Sequence, residues 1–174
     1  SAAIDVLARY HLGNKECLRL IRDLCYGTRE VFVSAEGQRY FEQMVPSLLR
    51  LTMRMPDPPA VIRNLHSFML SIKGITYYYE LIAQHTDILK LLVLLFGTSD
   101  CFSEYLISHP EYFDTLLTSR VLYDNINIDS VRDRVEQALR GARSLDRQLI
   151  LLRRAVKFEL LLAALRRILN LCSL

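Results

Sequence analysis

The feature that most constrains this chain is its punctuation. Side chains able to cap a helix stand directly before runs of helical period at Asn14, Ser34, Asp57, Ser99, Asp129 and Ser144. At such positions a side-chain oxygen accepts from the unpaired N–H groups of a first helical turn. Stop signals follow at Gly27, Gly74, Gly97 and Gly141, at the proline-rich turn Met55–Pro59, and at Pro110. The alternation that marks a strand is confined to Glu30–Ser34. The pattern predicts an all-α chain, an irregular bundle of about eight to ten helices that ends in a long one.

The individual helices can be placed from the same signals. Asn14 caps a helix with Leu18, Ile21, Leu24 and Cys25 on one side, stopping at Gly27. Ser34 opens the next, which Pro46 is expected to break or restart, because proline lacks the N–H and crowds the preceding turn. Asp57 caps Pro58 to about Ile72, and Gly74 separates that helix from Thr76–Gln84. Thr86 and Asp87 open Ile88–Phe96, which Gly97 is expected to end in a left-handed conformation. The helix after Ser99 and Asp100 must stop near His109, since a residue before proline avoids helical angles. A short helix begins at Pro110 and Glu111, and a polar stretch follows at Asp124–Asp129. Asp129 caps Ser130–Arg140, and Ser144 caps a last helix from Leu145 to about Leu171. One helical domain over 4–174 is expected, with a possible subdivision into 4–56 and 57–174.

A chain of 174 residues can bury roughly 70% of its unfolded surface and needs no metal or disulfide staple. Its apolar share of 51% and mean hydropathy of +0.16 are high for a domain with charged outer helix faces. Apolar surface covered from outside the chain is therefore expected. The longest apolar run, Ile88–Phe96, is interrupted by Lys90 and is about half of a bilayer span, so no membrane segment is expected. No signal peptide is recognisable, and the Ser1-Ala2-Ala3 start without Met reads as a cloning remnant on an excised piece of a larger protein rather than as a natural start. Cys17, Cys25, Cys101 and Cys172 lack paired spacing, so reduced thiols and a cytoplasmic location are expected. A net charge of +3 from 22 basic and 19 acidic residues gives no reason to expect nucleic acid as a partner.

The residues of known chemistries are not gathered into a motif. No glycine-rich loop follows a strand, and no carboxylates cluster on adjacent strands to hold magnesium; Asp124 and Asp129 share only a loop. His11, His66, His85 and His109 stand alone, with His109 in a helix-to-helix corner suited to capping or packing. Cys101, one turn from Tyr105, is expected to be a buried, inert thiol. Tyr77, Tyr78 and Tyr79 point about 100° apart on a helix and fit core and interface packing better than a stacking platform. No catalytic, cofactor-binding or metal-binding residue is therefore expected in this chain.

The last helix carries the most informative pattern. Arg153, Lys157 and Arg167 fall within about 80° of one another, over Asp146, while Arg166 points elsewhere. Such a stripe suits a solvated face or an ion-paired contact. Between residues 160 and 165 the helix is apolar on every side, a pattern that implies burial all round. A neighbouring domain is expected to cover Leu161 and Leu165, with Arg153, Lys157 and Arg167 at the rim.

Three blocks resemble one family. Leu91-Leu92-Val93-Leu94-Leu95-Phe96-Gly97-Thr98-Ser99, His109-Pro110-Glu111 and Asp114-Thr115-Leu116-Leu117 look like the "LxxLFGxSxxLxxxLxxHPExxDxLL" stretch of the glutamine synthetase adenylyltransferase family. Leu152-Arg153-Arg154, Glu159-Leu160-Leu161, Ala164 and Arg166 are similar to its "LRRxxxxELLxxAxRDL" helix. Tyr77–Ile82 with Ile88 and Leu89 resembles its "AYLxLLxxxPxxL" stretch. The resemblance covers residues 38–170 and, less closely, 15–37; Arg167 replaces a usual aspartate and Leu162 a frequent arginine. It implies a helical region between two nucleotidyltransferase domains, one removing AMP from glutamine synthetase and one attaching it. Each of those domains would bind ATP and Mg2+ through a Gly-Ser turn and an Asp-x-Asp pair that this chain lacks. The implied role is non-catalytic, coupling the two domains to PII and glutamine signals. The alternative is an independent helical adaptor that holds a partner helix or peptide.

Overall fold

The computed structural model describes residues 2–118, 128–142 and 144–171, and among these it contains ten helices and no strand beyond an isolated bridge between Gly27 and Phe32. Asp124 and Cys172 lie outside the described residues. The chain forms two compact units, Ser1–Pro110 and Glu111–Leu174, so the Met55–Pro59 turn falls inside the first unit.

The first unit holds α1 (Ala2–Ala8), α2 (Lys15–Tyr26), α3 (Ala35–Thr52), α4 (Pro58–Ser71), α5 (Thr76–Gln84), α6 (Thr86–Thr98) and α7 (Asp100–Ser108). The caps act where the sequence places them. Asn14 Oδ1 accepts from the Cys17 amide at 2.6 Å, Ser34 Oγ from Gly37 at 3.0 Å, and Asp57 Oδ1 from Ala60 at 3.1 Å. Gly27 and Gly74 have φ of 84° and 61°, where a Cβ would be strained. Helix α6 runs through the middle of this unit, and every side chain from Leu91 to Phe96 is buried. Burial on all sides, which the sequence pattern assigns to α10, thus belongs to α6. Around it Phe41, Met44 and Leu48 of α3 and Val61, Ile62, Leu65 and Phe68 of α4 supply the core.

Two stop signals behave differently from expectation. Pro46 lies within α3, which continues to Thr52. The missing hydrogen bond affects one turn, whereas Phe41, Met44, Leu48 and Leu49 bury a continuous stripe on both sides of it. Sustained tertiary burial outweighs a local defect of about 3 kcal/mol. Gly97 is likewise helical and lies inside α6, which ends at Thr98. A Cβ there would stand 2.8 Å from Met55 Cγ and 2.9 Å from its Sδ, so this glycine permits close approach of the Met55–Pro59 turn.

The tyrosine run divides by face, as helical geometry requires. Tyr79 is buried and donates its hydroxyl to the Leu24 carbonyl at 2.7 Å, joining α5 to α2, and burial pushes its pKa upward. Tyr77 is exposed and meets Tyr78 edge-on, with ring centroids 5.3 Å apart. Cys17 and Cys25 are buried, and desolvation raises both thiols. Cys101, expected inside, is exposed, because the inward side of α7 is taken by Ser103, Tyr105 and Leu106.

The second unit contains α8 (Glu111–Thr118), α9 (Ile128–Leu139) and α10 (Leu145–Leu171). Asp129 sits in the first turn of α9 rather than before it. Gly141, at φ 86°, lies just beyond α9, and Ser144 Oγ accepts from the Arg147 amide at 3.3 Å to start α10. Helix α9 packs along α10.

Candidate contact surface of the C-terminal helix

Helix α10 has two apolar faces. At ~100° per residue, Phe158, Leu161, Leu162 and Leu165 occupy one side, and all four are buried. Tyr112 of α8 stacks on Phe158 with ring centroids 4.7 Å apart, fixing part of that face. On the opposite side Leu145, Leu149, Leu152, Val156 and Leu160 recur at helical spacing within a band about 80° wide. Their exposures are 70%, 44%, 37%, 46% and 55%. Ala163 continues the stripe and is also exposed.

One edge of the outer stripe is closed by an ion pair. Arg134 of α9 reaches Glu159 in a two-pronged contact, Nε to Oε1 at 2.6 Å and a terminal nitrogen to Oε2 at 2.7 Å. Glu159 is mostly covered, and its carboxylate raises the Arg134 pKa through the hydrogen bonds and the charge. The other edge carries Arg153 and Lys157, with Arg167 further along the stripe, all exposed, and Asp146 near the start of the helix.

The five residues singled out in the sequence therefore separate. Arg153, Lys157 and Arg167 stand at the surface on neighbouring positions. Leu161 and Leu165 are fully buried on the other face, while Leu160 is exposed. The 160–165 segment is thus not waiting for an external cover on every side. Helical period alone would have picked out Leu145, Leu149, Leu152, Val156 and Leu160 as a second stripe; the continuous leucine run obscured it.

Polar chemistry elsewhere is sparse. Among the described residues, no group of three or more His, Cys, Asp or Glu side chains comes together. His109 packs its ring on Tyr105, with centroids 5.1 Å apart. A well-covered titratable pair joins α2 to α4: His66 Nε2 lies 3.9 Å from Asp23 Oδ2, and Asp23 is also paired with Arg19 at 3.2 Å. Desolvation lowers the His66 pKa below its ordinary 6.5, only partly offset by the Asp23 charge, and Arg19 lowers it further.

This arrangement sets a pH dependence. Folded His66 resists protonation more than the unfolded side chain does, so the unfolded state binds more protons as pH falls below about 6.5. The associated stability is complete above that pH and is lost as pH drops towards the folded-state pKa. A His66→Gln variant is expected to show a flatter stability profile below about pH 6.5, measured by urea titration. Parallel profiles for the two proteins would contradict the assignment.

No family model matches the chain, and no solved structure matches it. It is similar to the bifunctional glutamine synthetase adenylyltransferase/adenylyl-removing enzyme of Thioalkalivibrio sulfidiphilus (strain HL-EbGR7), with 27% identity over 124 residues. The aligned segment is 71% of this chain but 13% of that protein. The relationship is thus one of low identity to a small part of a much longer enzyme.

Proposed function

We propose that this chain is a non-catalytic helical region of an enzyme that adenylylates and deadenylylates glutamine synthetase, and that it couples the two nucleotidyltransferase domains to nitrogen signals. The observation carrying this reading is the match to 13% of a bifunctional adenylyltransferase by a chain whose described residues are mostly helical. ATP and Mg2+ belong, on this reading, to the flanking domains. PII and glutamine act as effectors, and the enzyme works in the cytoplasm.

The region works by contact. No single helix among the described residues is long and apolar enough to cross a membrane. The exposed side of α10, with Arg153, Lys157 and Arg167, is the surface assigned to a neighbouring domain. Leu161 and Leu165 support it from beneath by holding the helix in its own unit. A long packed helix transmits displacement better than a flexible linker, which gives α10 the role of a lever.

Two measurements test the reading. The purified chain is expected neither to transfer AMP to or from glutamine synthetase nor to turn over ATP; magnesium-dependent transfer would overturn it. In the full-length protein, Leu149→Gln with Val156→Gln is expected to leave basal transfer intact and blunt the response to PII and glutamine. An unchanged effector titration in a folded variant would remove the lever role.

A further inference from the structure

We infer that the outer face of α10 is a docking site for an amphipathic helix whose apolar stripe is flanked by carboxylates. This deepens the assignment of α10 as a contact element and rests on it, but it does not depend on which enzyme the chain belongs to. Leu145, Leu149, Leu152, Val156 and Leu160 present five large aliphatic side chains in one row of about four turns. Together they expose on the order of 400 Å² of apolar surface, within the range of the largest patch on a typical monomer, which is often functional. Spacing of i, i+4, i+7, i+11 and i+15 makes ridges that fit the grooves of another helix.

Charge at the stripe's edges selects the occupant. The α9 side is occupied by the Arg134–Glu159 pair, which neutralises itself at 2.6 Å. Arg153 and Arg167 stand at the surface along or beside the stripe, with Asp146 towards its start. A partner helix lying along this stripe therefore meets a net positive edge, two arginines against one aspartate, and carboxylates on its flank are the complementary groups. A second copy of this chain is the poorer fit, because it brings the same cationic excess to the same edge.

The test uses the purified chain and two synthetic helical peptides of about 20 residues. Both carry leucines at the stripe spacing; one has glutamates on its flanks and the other lysines. The glutamate peptide is expected to bind about tenfold more tightly by fluorescence anisotropy, with the preference shrinking as salt is raised. Leu149→Gln with Val156→Gln should abolish binding of both peptides. Arg153→Glu, at an exposed position, should narrow or reverse the preference while circular dichroism stays unchanged, so the charge argument is tested even if the double variant unfolds. No binding, or equal binding of the two peptides, would overturn the proposal. A dimer in sedimentation equilibrium that Leu149→Gln with Val156→Gln dissolves would overturn it in favour of a second copy. Loss of the effector response in the full-length protein is a separate readout, so the family reading and the docking reading can fail independently.

Discussion

Replacing Leu161 and Leu165 together by alanine is expected to abolish the cooperative unfolding of the second unit. Both side chains are at 0% exposure on the inner face of α10. Each large-to-small change in a closed core removes about 2–5 kcal/mol, from lost transfer energy and from the cavity left behind. The two leucines lie one turn apart and share surroundings, so their effects will not add independently. Even so, a combined loss of about 5 kcal/mol is comparable with the whole stability of a small domain. Amide exchange should show α9 and α10 losing protection. The comparison is Leu149→Gln with Val156→Gln on the outer face, expected to change stability by less than about 1 kcal/mol. Equal urea midpoints for the inner and outer pairs would refute the division of α10 into two faces. The contrast also decides which variants can report on coupling: substitutions at Leu161 and Leu165 disturb folding first, whereas those at Leu149 and Val156 act on the surface.

Arg134→Ala is the second substitution with a large expected effect. It removes two charge-assisted hydrogen bonds at 2.6 and 2.7 Å and leaves the Glu159 carboxylate, with only 15% of its side chain exposed, without its arginine. The expected loss is about 2 kcal/mol. Glu159→Gln should be milder, since the amide oxygen still accepts from the guanidinium. The double variant Arg134→Ala with Glu159→Ala should be more stable than the sum of the single changes predicts, because no stranded charge remains. A double-mutant cycle by urea titration measures this directly. A coupling energy below about 0.5 kcal/mol would place the pair among surface contacts of little consequence.

The position of a stop signal and its effect are separate matters in this chain. Pro46 and Gly97 are both strong breakers on local grounds, yet α3 and α6 pass through them. In α3 the buried stripe from Phe41 to Leu49 outlasts the proline; in α6 the glycine gives room to Met55 instead of ending the helix. Cys101 shows the same limit from another side: one turn of spacing puts it on the same side of α7 as Tyr105, yet Tyr105 is covered and Cys101, in the first turn of the helix, is exposed.

The sequence alone determined the helical class, the caps at Asn14, Ser34, Asp57, Ser99 and Ser144, and the bounds of α5, because these depend on hydrogen bonds and steric limits within a few residues. It also carried the resemblance, which the similarity to one adenylyltransferase supports over 71% of the chain. Tertiary structure decided which helix is surrounded and which is two-faced. Leu91–Phe96 and Leu160–Leu165 are both leucine-rich runs, and local pattern does not distinguish them. Neighbouring helices cover every side of α6, whereas in α10 they cover Leu161, Leu162 and Leu165 and leave Leu160 in solvent. Burial is a property of what packs against a helix, and those partners come from distant parts of the sequence whose arrangement no local period encodes.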